Sequence, residues 1–263
     1  MLSLRDIAAY YPPQLHRFGD FLLREYLQCK ILEAVYQSPM ARKLVFIGGT
    51  CLRIVHGNQR FSEDLDFDSL GCTAAEWQEL SAIIGRHLTA HGYDVDMQVV
   101  SRQAWHCYVR FPGLLFQEGL SGYRQQKILI QLDVEPQNYV FEPRTWLLNR
   151  FDVFTEIFCA PPPLLMAHKC HAILNRKRNK GRDFFDIAFL MGLQLQPDWH
   201  FLGLKDGLEN AESLTKALIN HCAALDMHAM ANDVAPFLFQ AADVNKVLHF
   251  QRLVNQYWNQ ESA

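Results

Sequence analysis

The sequence predicts an α+β / α/β fold, a mixed sheet flanked by helices, followed by a C-terminal helical domain. Three observations carry this. Val45-Phe46-Ile47 is a short apolar run that stops at Gly48-Gly49 and passes into a periodic, helix-like segment, Cys51 to His56. Alternating runs then recur at 93–100, 105–111 and 127–134. Pro161-Pro162-Pro163 interrupts the chain, and beyond it only helical periodicity is visible.

Taken in order, residues 14–36 hold Leu15, Phe18, Phe21, Leu22, Tyr26, Ile31, Leu32 and Val35 at three- and four-residue spacing. That spacing predicts an amphipathic helix packed on the domain downstream of it. The Gly48-Gly49 stop lets an anion approach bare backbone N–H groups at a helix start, with Thr50 in reach of the N-cap position. Asp64-Leu65-Asp66-Phe67 alternates polar and apolar residues, as a half-buried strand does. Asp64 and Asp66 would then share a face, with Cα atoms about 7 Å apart, while Leu65 and Phe67 enter the core. A phosphate cradle beside two convergent carboxylates suits Mg²⁺-assisted chemistry on a nucleotide. Arg53 and Arg60 flank the phosphate site. Arg60 reads equally as a phosphate contact or a solvated loop residue, and Ser62 as a nucleotide contact or a turn former.

A second helix spans 73–91, with Trp77, Leu80, Ile84 and Leu88 on one face, Thr73 and Glu76 as a capping box, and Gly92 as its stop. The runs 93–100 and 105–111 form an antiparallel pair. Asp94 and Asp96 in the first suit a solvent-facing or edge strand better than a catalytic role. In Lys127–Val134, Leu129, Gln131 and Asp133 share one face, and Ile128, Ile130, Leu132 and Val134 the other. The domain boundary falls at the prolines, giving domains of residues 1–160 and 161–263. Helix 164–175 carries Lys169, and another begins at Gly181-Arg182-Asp183. Between them lie Arg176, Lys177, Arg178, Lys180 and Arg182, a solvated loop or a holder of a polyanion such as RNA. Helical patterns at 208–225 and 244–258 complete the chain, their methionines and aromatics read as packing. His168 and His171 read as helix-surface residues.

Composition bounds the answer from outside. A chain of 263 residues with 49% hydrophobic and 20% charged residues is of globular type. The formal net charge of −3 gives no global nucleic-acid signature, so any basic surface is local. Cys29, Cys51, Cys72, Cys107, Cys159, Cys170 and Cys222 show no Cys-x-x-Cys pairing and read as reduced thiols. No apolar stretch reaches spanning length and no leader-like segment opens the chain, so a cytoplasmic location is expected, with no membrane partner.

Gly48-Gly49-Thr50 with Arg60-Phe61-Ser62-Glu63-Asp64-Leu65-Asp66-Phe67 resembles the first motif of the nucleotidyltransferase fold. It looks closest to the AbiEii/AbiGii-type nucleotidyltransferase toxins of type IV toxin–antitoxin systems. Lys169, then Arg182-Asp183 and Asp186, resembles a second block of that family, in which the lysine and the first aspartate belong to the active site. The resemblance implies that Asp64, Asp66 and Asp133, the last supplied by a later strand, hold Mg²⁺ (or Mn²⁺). Gly48, Gly49 and Thr50 would grip the β- and γ-phosphates of a nucleoside triphosphate, and Lys169 would neutralise its charge. Asp133 would complete the metal site or accept the proton of the attacking hydroxyl; Asp183 would orient Lys169 or sense the acceptor. The implied reaction moves a nucleoside monophosphate to RNA, tRNA or a protein hydroxyl, with a cognate antitoxin as partner. The same residues would serve a kinase transferring the γ-phosphoryl group, and a non-catalytic antitoxin-binding protein could keep the fold.

Overall fold

A computed structural model describes residues 1–101, 105–136 and 138–259. The chain divides into two compact units, Met1–Cys51 with Phe61–Cys159, and Leu52–Arg60 with Ala160–Ala263.

The first unit is a seven-stranded mixed sheet with helices. After α1 (Leu4–Ala8) come a 3₁₀ segment, Pro13–Phe18, and α2 (Gly19–Tyr36). Strand β1 (Leu44–Ile47) leads into α3 (Gly48–Ile54), which runs from the first unit into the second. Then come β2 (Leu65–Ser69), α4 (Ala74–Ala90), β3 (Asp96–Ser101), β4 (Trp105–Pro112), α5 (Leu114–Gln117), β5 (Lys127–Glu135), β6 (Arg144–Arg150) and β7 (Val153–Cys159). The spatial order is β3-β4-β5-β2-β1-β7-β6. β2 runs parallel to β5, and β1 parallel to β7; the other pairs are antiparallel.

Register separates the two faces of the sheet. Leu65 lies beside Leu132 and Phe67 beside Val134, while on β4 Cys107 and Val109 face Leu132 and Ile130. These side chains are all buried, on the face that α2 and α4 cover. The alternate positions, Asp66 beside Asp133 and Asp68 beside Glu135, occupy the other face. The capping box at Thr73 and Glu76 is present, and Trp77, Leu80, Ile84 and Leu88 are fully buried. β3 is an edge strand, and Asp96 there meets Arg110 and Lys127.

Helix α2 departs from the amphipathic expectation. From Tyr26 to Tyr36 every residue is buried, with α4 on one side and β5 and β7 on another, so it has no solvent face to be polar. Its buried charges are therefore paired: Glu25 with Arg150 at 2.5 Å and Tyr11 at 2.8 Å, and Lys30 with Glu33 at 2.5 Å. The hairpin β6–β7 has no counterpart among the sequence expectations. Only Leu148 of β6 is buried, and the turn at Phe151-Asp152 places Phe151 at φ 56°, a conformation that glycine or asparagine would ordinarily mark.

The second unit is helical beyond Arg60: α6 (Pro162–Asn175), α7 (Gly181–Gly192), α8 (Trp199–Asp206), α9 (Ala211–Ala223), α10 (Met227–Val234), α11 (Asn245–Leu248) and α12 (Phe250–Asn259). Of the two helices expected at the C-terminus, the first is α9, a little shorter at each end, and the second is broken into α11 and α12. Gly207 in a left-handed conformation stops α8, and the Asn210 side chain caps α9 by accepting from the Ser213 N–H at 2.9 Å. All seven cysteines are free and buried. Among the described residues no helix is long and apolar enough to cross a membrane.

Candidate active site

In the first unit, β1 ends at Ile47 and the chain turns at Gly48 with φ 77°. A Cβ at this position would collide with Oδ2 of Asp66 and come within 2.9 Å of its Cβ and Cγ, so only glycine leaves room for that carboxylate. Thr50 is fully buried, and its hydroxyl donates to the Asp64 carbonyl. Thr50 is thus no N-cap, because α3 already includes it, and its hydroxyl is committed to shaping the entry into β2. Asp64 sits one residue ahead of β2, and Asp66 within it, both partly exposed. The Ser62 carbonyl accepts from the Gln28 side chain at 3.1 Å, which ties the approach to β2 to helix α2.

Asp133 stands next to Asp66 on the parallel neighbour β5. Its Oδ1 is 2.6 Å from Nδ1 of His106 on β4, and Gln131 Nε2 donates to both of its oxygens at 2.7 and 3.0 Å. His106 escaped the sequence reading. It lies opposite Asp133 only because β4 and β5 pair residue for residue, and the insertion of α5 between them hides that register. Asp68, which continues the alternation after Asp66, is fully buried on the same face; its period-two spacing was visible.

In the second unit, α6 and α7 carry Lys169 and Asp183 into contact at 2.8 Å. Lys169 also meets Asp186 at 2.9 Å, and Arg176 holds the other oxygen of Asp183 at 2.5 Å. Asp186 is the hub. Fully buried, it accepts from Arg60 Nε and Nη2, both at 2.7 Å, and from Asn58 Nδ2 at 2.8 Å. Burial alone would raise its carboxyl, but Arg60 and Lys169 beside it hold it below the ordinary value. Burial alone would lower the Lys169 ammonium, and Asp183 and Asp186 raise it instead, so Lys169 stays charged.

This geometry corrects both readings of Arg60. It is 1% exposed and forked onto Asp186, hence neither a phosphate contact nor a solvated residue. Arg53 is likewise buried, donating to the Asn58 carbonyl at 3.0 Å under the ring of Phe239. In the basic run Lys177, Arg178 and Lys180 are exposed, whereas Arg176 binds Asp183 and Arg182 lies 4.5 Å from the ring centre of Phe237.

His168 is half-buried, so the helix-surface reading holds for only part of its side chain. Its ring packs edge-on against Phe201, and its Nε2 is shut off from solvent with no hydrogen-bond partner. Burial, then the neighbouring Lys169 charge, lower it from 6.5 to about 4. Between those values the unfolded chain binds a proton that the folded chain refuses, so stability is lost as pH falls from 6.5 towards 4. The loss expected from this group is about 3 kcal/mol. Urea unfolding of His168→Leu across that range should show a correspondingly flatter pH dependence than the parent; parallel curves would refute it.

Compared with known families, residues 30–244 match the AbiEii family, described as nucleotidyl transferase AbiEii toxin, Type IV TA system. A solved structure of a candidate nucleotidyltransferase from H. pylori superposes with a TM-score of 0.59 at 19% identity, covering 92% of this chain and 96% of that one. JHP933 from Helicobacter pylori gives a TM-score of 0.54 at 18% identity, covering 92% and 94%. At these identities the likeness is one of fold. Among curated proteins there is no match.

Proposed function

The chain belongs to the AbiEii nucleotidyl transferase toxin family, and from that membership we propose a Mg²⁺-dependent transfer of a nucleoside monophosphate from a nucleoside triphosphate to an RNA hydroxyl. The observation that carries the reading is the placement of Asp66 and Asp133 on adjacent parallel strands, on one face of the sheet, with Asp64 at the mouth of β2. The donors are all carboxylate oxygens, the set a hard cation prefers, and they fit Mg²⁺ better than a softer metal. Bound there, the ion would draw charge off the triphosphate and favour ionisation of the attacking hydroxyl.

The chain's own residues would do the rest. Gly48 and Gly49 leave backbone bare for the phosphates, while Thr50 keeps Asp64 in place from behind. Asp133, steadied by His106 and Gln131, would take the hydroxyl proton if it is not a metal ligand. Lys169, kept charged and aimed by Asp183 and Asp186, would supply positive charge to the triphosphate. Arg60 then acts through Asp186 and touches no nucleotide. The exposed Lys177, Arg178 and Lys180 would track the acceptor backbone. A cognate antitoxin remains the expected protein partner.

Incubation with Mg²⁺, total cellular RNA and labelled triphosphates tests this directly. Label from the α-position should appear on RNA, and label from the γ-position in pyrophosphate. Transfer of γ-label alone would replace the reading with a kinase on the same residues. Changing Lys177, Arg178 and Lys180 together to Gln should weaken RNA binding and flatten its salt dependence by up to about three contacts' worth. Triphosphate binding should be untouched, and an unchanged salt slope would return the three to ordinary surface.

A further inference from the structure

Helices α2 and α4 bring together three ligand-type side chains that the proposed reaction does not use. Glu33 from the last turn of α2, His87 from the last turn of α4 and His91, the residue that caps α4, each offer one ligand atom, and these atoms lie within 4.8 Å of one another. A four-residue spacing sets both imidazoles on one helix face, one turn apart, with ring centres separated by 4.3 Å. His87 Nε2 is 3.2 Å from Glu33 Oε2. Two ligand atoms each about 2.0–2.1 Å from a tetrahedral ion stand roughly 3.3 Å apart, so this pair already has the spacing of a coordination edge.

The environment supports a metal in two further respects. His91 Nδ1 donates to the His87 carbonyl at 2.8 Å, which fixes the tautomer whose Nε2 carries the lone pair. Metal-binding histidines are oriented in this way by a second hydrogen bond from the other ring nitrogen. Lys30 holds Glu33 Oε2 at 2.5 Å, but its ammonium is also 3.8 Å from Asp152. It therefore has a second carboxylate to turn to when a cation takes Glu33. Glu33 is buried and both histidines are partly exposed, which leaves the fourth coordination position to water.

We propose that Glu33, His87 and His91 form a site for a borderline divalent metal, Zn²⁺ or its close analogues Co²⁺ and Ni²⁺, that clamps α4 to α2. Two imidazoles and one carboxylate select such ions over Mg²⁺, which seeks six oxygens. The clamp would stiffen the layer of helices that covers the apolar face of the sheet. It is independent of the nucleotide chemistry, since it shares no residue with Asp64, Asp66 or Asp133.

Cobalt titration of the metal-free full-length protein tests the site through its own spectrum. The expected result is a visible absorption of tetrahedral Co²⁺ at one equivalent, abolished by Zn²⁺ and unaffected by Mg²⁺. Thermal unfolding should move upward with Zn²⁺. His91→Gln should weaken Co²⁺ binding at least ~10-fold, since even losing an outer hydrogen-bond partner of a metal ligand costs about 10–100-fold. The double variant His87→Gln, His91→Gln should show no tetrahedral band. His171→Gln, which removes an imidazole paired with Asp206 on α8, should titrate like the parent. If the double variant does not fold, His91→Gln decides, because it leaves the Glu33–His87 contact in place. Absence of the tetrahedral spectrum in the parent, or the same titration in His91→Gln, would overturn the proposal.

Discussion

Asp186→Ala should destabilise the second unit by about 3–5 kcal/mol, the usual result of removing one partner from a buried ion pair. Four bonds converge on this carboxylate, two from Arg60, one from Asn58 and one from Lys169. With the carboxylate gone, a guanidinium at 1% exposure keeps its positive charge and loses the two bonds it makes to Asp186. The cost of depriving that buried charge of its fork dominates the loss. Asp186→Asn keeps an acceptor but not the charge and should fall between Ala and the parent. Because its neighbours hold the Asp186 carboxyl below 3.8, its stabilisation is complete above that value and is lost only as pH falls below it. Urea unfolding at neutral pH measures the effect, and a loss under about 1 kcal/mol would mean that Arg60 and Lys169 had found other partners. Lys169, retaining only Asp183, should also lose its aim, so nucleotidyl transfer should drop even where the chain stays folded.

Asp66→Asn should reduce transfer by about 10³-fold or more, equivalent to roughly 4 kcal/mol of barrier, with the fold intact. The amide has nearly the shape of the carboxylate, so the close fit against Gly48 survives while the charge that would hold the cation does not. Removing one of two neighbouring negative charges should leave the melting temperature in EDTA unchanged or slightly raised. Gly48→Ala should reach the same inactivity by another route. Its methyl group would push Asp66 aside and sit at a φ that alanine resists, so this variant should melt lower as well. Full turnover in Asp66→Asn would remove the metal assignment. Turnover lost while Mg²⁺ still binds as in the parent would also remove it and point to Lys169.

Much of this was legible in the residues alone. The alternation at 64–67 and 127–134 assigned Asp66 and Asp133 to polar positions, and the parallel register of β2 and β5 sets them side by side. Family motifs pointed to Lys169 and Asp183, which are in contact. The misses share one physical origin, namely partners distant in sequence. Periodicity describes which side of a helix is apolar, and α2 is enclosed on more than one side, so nothing in the spacing marks Lys30 and Glu33 as buried charges. A loop arginine such as Arg60 looks solvated until the acid that buries it, 126 residues away, is known. His106 needed a strand register that an inserted helix concealed, and β6 lacked the buried alternation that marks a strand.

The assignment of residues 52–60 to the helical unit has a consequence for the order in which the chain matures. During synthesis this segment leaves the ribosome with the sheet, yet Arg60 cannot meet Asp186 until 126 more residues have been made. At about 5–20 residues per second that interval is roughly 6 to 25 seconds. Through it, an arginine destined for the interior must remain hydrated, next to a β2 whose neighbour β5 is itself still being added. Segment 52–60 thus waits for the rest of its own unit until α7 emerges. A fragment ending at Cys159 would leave Arg60 without Asp186 for good, and residues 160–263 alone would leave Asp186 with Lys169 but without the Arg60 fork.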